Sequence, residues 1–141
     1  MGSHVSFEIP ADLEQIERVS SEIERCMKGE GWVDDEMLDV QLAVEEAVTN
    51  SILHGYDGAA GTIAIRIETS PHHVVVEIAD DAPAFNPLSV PEPDIGADLE
   101  DRRIGGLGIF LIRRVMDKVT YRYEDNKNIL LMVKDRSQKR S

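Results

Sequence analysis

Ile63, Ile65 and Ile67 alternate along one segment, and Val74, Val76 and Ile78 repeat the pattern after a Ser70–Pro71 turn. A period of two puts each trio on one face of a half-buried strand. Two such strands joined by a short turn form a hairpin, so the sheet they enter is largely antiparallel. Val119–Tyr123 and Ile129–Val133 make a second pair around a polar turn at Asp125–Asn128, and a short strand at Val5–Ile9 opens the chain. Helical spacing intervenes. Leu13, Ile16, Val19, Ile23 and Met27 recur at three- and four-residue steps until Gly29 and Gly31 end the run. Asp34 and Asp35 give a second helix its acidic start; it extends to about His54, with Gly55 in the place of a C-terminal cap. A third helix covers about Leu107–Met116, and the charged tail from Lys134 is expected to fray. Hairpins beside helices predict an α+β fold, a two-layer α/β sandwich with a mixed, largely antiparallel sheet packed against helices.

Length and composition narrow the function. A chain of 141 residues with 42% hydrophobic content suits one globular domain with a real core, taken as residues 1–141. Met1-Gly2-Ser3-His4 has the look of a cloning remnant and carries no argument. With 27 acidic against 15 basic residues the net charge is −12, which repels phosphate backbones and anionic lipid. Neither nucleic acid nor a membrane is therefore an expected direct partner. The acidity leaves ATP open, because Mg²⁺ and backbone N–H groups can carry phosphate locally. Cys26 is the single cysteine and forms no intramolecular disulfide, which suits a reducing compartment. No apolar run reaches the ~18 residues of a membrane span, so a cytoplasmic location is expected.

Three polar clusters interrupt the apolar pattern. Glu46, Asn50 and His54 fall four apart on the second helix and so share one stripe. Glu46 stands among Val44, Ala47 and Val48, where an ionised carboxylate is costly unless it faces a cavity, a metal or a partner. The amide oxygen of Asn50 is a hard ligand suited to Mg²⁺, and Glu46 can accept a proton; taken alone, the same spacing is more commonly a solvated strip on an amphipathic helix. Asp80 shares the inward face of Val74, Val76 and Ile78, whereas Asp81 points the other way. An inward carboxylate needs a donor, either an adenine amino group or its own turn backbone. Gly105-Gly106-Leu107-Gly108 opens the third helix, where unpaired N–H groups can meet phosphate. No Lys-Ser or Lys-Thr follows, so this is not a Walker A loop. Between the second and third clusters, Pro83–Arg103 is a loop of lid length rich in Pro, Asp and Gly.

In order and spacing these clusters resemble the GHKL (Bergerat) ATP-binding superfamily. Glu45-Glu46-Ala47-Val48-Thr49-Asn50-Ser51-Ile52-Leu53-His54-Gly55-Tyr56 resembles its N box, Asp80 to Phe85 its first glycine box, and Gly105 to Ile112 its second. The ending, Met116-Asp117 through Tyr121 to Asn128-Ile129-Leu130, is similar to the anti-sigma-factor serine kinase branch, and the resemblance covers about residues 10–134. The resemblance implies that Glu46 is the base that activates the attacking hydroxyl and that Asn50 holds Mg²⁺ against the ATP phosphates. Asp80 would accept the adenine amino proton, with Ala82 and Phe85 in the same box and Pro83–Arg103 as the ATP lid. The backbone of Gly105, Gly106, Leu107 and Gly108 would cradle phosphate. It further implies ATP and Mg²⁺ as cofactors, a STAS-type anti-anti-sigma protein as substrate, a sigma factor as second partner, and a homodimer. Nothing resembles the phospho-accepting hairpin of histidine kinases or the added domains of clamp-type ATPases. The chain departs from the pattern at Ala82, where the family has glycine; a required positive φ there would weaken ATP binding. A partner-sequestering module without phosphoryl transfer is the alternative function.

Overall fold

A computed structural model describes residues 2–89 and 106–136. The elements run β1 (Ser3–Pro10), a 3₁₀ turn (Leu13–Gln15), α1 (Ile16–Gly29), α2 (Asp34–Asn50), a π-helical turn (Ser51–Tyr56), β2 (Thr62–Thr69), β3 (His73–Asp80), a second 3₁₀ turn (Pro87–Ser89), α3 (Gly106–Val115), β4 (Lys118–Glu124) and β5 (Lys127–Asp135). The strands form one five-stranded sheet in the order β1-β2-β3-β5-β4, and every described pairing is antiparallel. The α+β sandwich is as the hairpin pattern predicts, and the sheet is antiparallel rather than mixed.

Period-two alternation decides which face is covered. Ile63, Ile65 and Ile67 on β2, Val74, Val76 and Ile78 on β3, and Leu130 and Met132 on β5 are all buried. Val19, Ile23, Cys26 and Met27 on α1 pack into the same core, as do Met37, Val40, Ala43, Val44, Ala47 and Val48 on α2. These α2 positions follow the three- and four-residue spacing of one helical stripe. α2 is the central helix, touching α1 and α3. Lys134 Nζ reaches the carbonyl of Val115 at 2.8 Å and the carboxylate of Asp39 at 3.4 Å, so β5 caps the end of α3 and ties it to α2.

Four expectations need correction. The second helix does not stop at Gly55. It passes into a π turn through Tyr56, and the left-handed residues that end it are Asp57 (φ 52°) and Gly58 (φ 87°). The wider π turn breaks the four-residue spacing beyond Asn50, so His54 is not the next position of the Glu46–Asn50 stripe. The turn before β5 is two residues, Asp125 and Asn126, both left-handed at 55° and 64°; a pair of that kind makes a tight hairpin turn, so Asn128 lies inside β5. Ser3 and His4 lie in β1, paired with Thr69 and Glu68, two residues earlier than the strand start at Val5. The tail is also anchored further than its charge predicts. Arg136 donates to the carbonyls of Pro71 (2.9 Å) and Gly31 (2.5 Å), and its guanidinium lies 4.7 Å from the centre of the Trp32 ring.

Candidate functional site

The register of three strands brings the site together. Asp80 ends β3 opposite Ile63 on β2 and Asn128 on β5, so the carboxylate and the amide stand side by side on the inward face. Both are 9% exposed. Asp81, with the opposite orientation, makes an exposed ion pair with Lys127 at 2.8 Å. The Asp80 carboxylate is held by three donors. Oδ1 accepts from the Asn128 amide nitrogen at 2.9 Å and the Ala82 backbone N–H at 3.0 Å, and Oδ2 accepts from the Ser51 hydroxyl at 2.5 Å.

The turn after β3 is fixed from two sides. Tyr56, at the end of the π turn, accepts from the Asp81 N–H at 2.9 Å and donates to the Thr62 carbonyl at 2.6 Å. Burial pushes its phenol pKa up, so the ring stays a donor. Asn128 bonds the carbonyls of Ala82 and Pro83 and the N–H of Phe85. Ala82 itself is 2% exposed, and it is not among the left-handed non-glycine residues of the described chain, which are Asp57, Asp125 and Asn126. An alanine therefore fits this backbone without the strain that a positive φ would impose.

Asn50, Asp80 and Phe85 line one cavity with Ala47, Ser51, Gly55, Ile78, Pro87, Ile109, Tyr121, Asn128 and Leu130. Its volume of about 40 Å³ holds a few waters rather than a purine, and Phe85 and Pro87 of the Phe85–Ser89 segment are part of its lining. That segment is latched by Arg113 of α3, which donates to the Leu88 carbonyl at 2.8 Å. A wider open depression of about 630 Å³ shares Gly55 and Phe85 with the cavity and is lined by His54, Asp57, Asp81 and Ala82 as well.

Glu46 and Asn50 sit one turn apart on α2, both half-buried. Among the described residues no hydrogen bond or ion pair engages either side chain. Burial, and to a lesser degree the neighbouring Glu45 charge, holds the Glu46 carboxyl above the usual glutamate range. Glu45 is tied to α1 through the Ser20 hydroxyl at 2.5 Å. Gly106, Leu107 and Gly108 open α3, and Ile109, the next residue, reaches the cavity. Gly105 and residues 90–103 of the lid lie outside the described residues.

The structure thus gathers Asn50, Asp80 and Phe85 around one cavity, with Glu46 a helical turn before Asn50. Ser51, Tyr121 and Asn128 join them, and Tyr56 supports the turn beside it through the Asp81 N–H, although the side chains of these four carried no argument in the sequence. The signal for Asn128 was its place two before Leu130 and four before Met132, the inward positions of β5. Ser51 had none, since its contact with Asp80 depends on where the π turn places it.

Residues 9–134 match the family described as the histidine kinase-like ATPase domain. The chain is 27% identical over 136 residues to the serine-protein kinase RsbW of Listeria monocytogenes, covering 93% of this chain and 87% of that protein. It is 30% identical over 132 residues to the RsbW of Staphylococcus aureus, covering 89% and 82%. Among solved structures its fold is similar to one in the SiaB–SiaC complex of Pseudomonas aeruginosa, with a TM-score of 0.65 at 21% identity over 92% of this chain and 88% of that one. It is also similar to the crystal structure of RsbU and RsbW domains from Mycobacterium tuberculosis, with a TM-score of 0.64 at 11% identity over 96% of this chain and 33% of that one. The chain belongs to the histidine kinase-like ATPase domain family.

Proposed function

We propose that the protein is an ATP-dependent serine/threonine kinase that acts as an anti-sigma factor. It phosphorylates a hydroxyl of a STAS-type anti-anti-sigma protein and binds a sigma factor. The observation that carries the reading is the convergence of Asp80, Asn50 and Phe85 on one largely apolar cavity, beside a half-buried Glu46 that no hydrogen bond or ion pair engages among the described residues. Similarity to proteins named serine-protein kinase RsbW supports the same reading.

In this mechanism Asp80 accepts from the adenine amino group, while Ile78, Ile109 and Leu130 contact the faces of the base. The N–H groups at the start of α3, from Gly106 to Gly108, bind phosphate oxygens, where the helix end favours negative charge. Asn50 fits a Mg²⁺ site, because its amide is unengaged among the described residues and Mg²⁺ is commonly held by one or two protein oxygens plus phosphate. Mg²⁺, when bound, neutralises phosphate charge during transfer. Glu46 takes the proton of the attacking serine or threonine hydroxyl. That oxygen bonds to the γ-phosphorus as the bond to the β–γ bridging oxygen breaks, leaving a phosphoserine or phosphothreonine, ADP and a protonated Glu46. The raised affinity of Glu46 for protons favours it as the group that takes the hydroxyl proton.

The test is transfer of label from γ-labelled ATP to a purified STAS-type protein, with Mg²⁺ present. Label on a serine or threonine is expected. A protein that binds ATP and a sigma factor yet labels no STAS protein is instead a sequestering module.

A further inference from the structure

We infer that Asn128 is the positioning residue of the base site: it aims the Asp80 carboxylate and shapes the loop from Ala82 to Phe85, without touching the ligand itself. The inference rests on reading Asp80 as the acceptor for an adenine amino group. Counting hydrogen bonds carries it. The Asn128 amide has two N–H hydrogens and two carbonyl lone pairs. Its nitrogen lies 2.9 Å from Asp80 Oδ1, 2.9 Å from the Ala82 carbonyl and 3.2 Å from the Pro83 carbonyl. Its oxygen accepts from the Phe85 N–H at 3.0 Å and the Tyr121 hydroxyl at 2.5 Å. Every donor and acceptor is used, and one N–H is shared between two carbonyls.

The network also fixes which way the amide points. Turned over, its oxygen would face three acceptors and its NH₂ would face the Phe85 N–H, so only one orientation is satisfied. Asn128 has no capacity left for a ligand, although it lines the cavity. What it determines is the capacity left on Asp80. With Asn128 and Ala82 on Oδ1 and Ser51 on Oδ2, three of the roughly four acceptor positions of the carboxylate are filled. A single acceptor position remains for a ligand. It matches one N–H of a 6-amino purine and repels the oxygen of a 6-oxo purine, and its direction is set by the three donors.

Two variants separate the two roles. Asn128→Asp keeps the shape but replaces the NH₂ with an oxygen facing Asp80 Oδ1 and the two carbonyls. Asn128→Thr keeps a hydroxyl that can donate to Asp80 but is too short to span the loop. Equilibrium titration of ATP and of inosine triphosphate, with Mg²⁺, gives the base preference; exchange of the Phe85 amide hydrogen reports the loop. For Asn128→Asp the ATP affinity should fall about tenfold or more, the size expected for a lost charge-assisted bond with unpaired groups left behind. The preference over the inosine nucleotide should shrink with it. Asn128→Thr should keep that preference and lose the protection of Phe85. A purely structural role would lower the melting temperature and leave the preference intact. An Asn128→Asp protein with wild-type preference therefore overturns the inference while the ATP reading stands. A wild type that binds neither nucleotide overturns both. Should Asn128→Asp fail to fold, Asn128→Thr decides: loss of Phe85 protection supports the clamp, and wild-type protection overturns it.

Discussion

A Cβ built on Gly55 would stand 3.3 Å from the Cβ of Ala82, so the methyl at 82 occupies the space that a side chain at 55 would need. The departure from a glycine box and the glycine in the π turn are thus one packing arrangement. Ala82→Gly should cost about 1–2 kcal/mol of stability, from a lost buried methyl and a freer unfolded chain. Nucleotide affinity should change by less than about threefold, or under about 0.7 kcal/mol. Gly55→Ala should crowd Ala82, while Ser51 Oγ and Asp80 Oδ2, 3.9 and 4.0 Å from the new methyl, stay in ordinary contact; the displaced Ala82 turn should weaken ADP binding. In the double variant the two effects should partly cancel. Thermal denaturation and ADP titration of all four proteins measure the coupling; strict additivity would mean that the two positions do not share the space.

Asp80→Asn should separate polarity from packing. An asparagine oxygen in the place of Oδ1 still accepts from Asn128 and Ala82, and Ser51 can rotate its hydroxyl to accept from the new NH₂. The fold should survive, whereas the cavity now offers a donor where it offered an acceptor. ATP affinity should fall by about 1.5–3 kcal/mol, the range for a hydrogen bond to a charged group. Calorimetric titration beside a melting curve is the check; unchanged affinity in a folded protein would place the base elsewhere.

Most of the fold was legible because alternation is local: Ile63 to Ile67 and Val74 to Ile78 display their inward faces without reference to any partner. Asp80 was legible for the same reason, as the next inward position of its strand. Asn128 was not, because a start of the last strand at Ile129 turns that residue into a loop polar group; the left-handed Asp125–Asn126 pair that shortens the turn is a backbone fact. Its importance also depends on β5 pairing with β3 across the order β3-β5-β4, a contact between distant segments. The π turn was invisible as well. Ser51 to Tyr56 has an ordinary helical composition, and the wider turn sets Ser51 against Asp80 and Gly55 against Ala82 only in the packed molecule.

Gly61→Ala should destabilise the protein by about 1–3 kcal/mol, the usual cost of overpacking. A Cβ there would lie 2.3 Å from the Tyr56 ring, which is buried and pinned by its hydroxyl between Asp81 and Thr62. The ring has to move, and the Asp81 N–H loses its acceptor. Urea unfolding gives the cost, and pairing Gly61→Ala with Tyr56→Leu should recover part of it. Equal stability of Gly61→Ala and the wild type would mean that the ring can be displaced freely.

Glu46 should show a conflict between stability and activity that pH can expose. Its carboxyl is held above the usual glutamate range by burial first and by Glu45 second. For a carboxyl raised on folding, the folded state binds the proton more tightly than the unfolded chain does. The resulting stability is fully present below the unfolded pKa and is lost as pH rises through the folded one. At neutral pH the ionised Glu46 therefore weakens the fold. Glu46→Gln should be more stable than the wild type at neutral pH, and the difference should vanish below the ordinary glutamate range. Phosphoryl transfer should run the opposite way. The wild-type rate should climb with pH through the raised pKa, as a base must be ionised, whereas Glu46→Gln should be about 10²–10⁴-fold slower and flat across that window. ATP should bind both proteins alike, since the proposed contact of the adenine is with Asp80 and not with Glu46. Melting curves, nucleotide titrations and transfer rates across the acidic range measure all three quantities. A Glu46→Gln protein that phosphorylates at the wild-type rate would remove Glu46 from the chemistry.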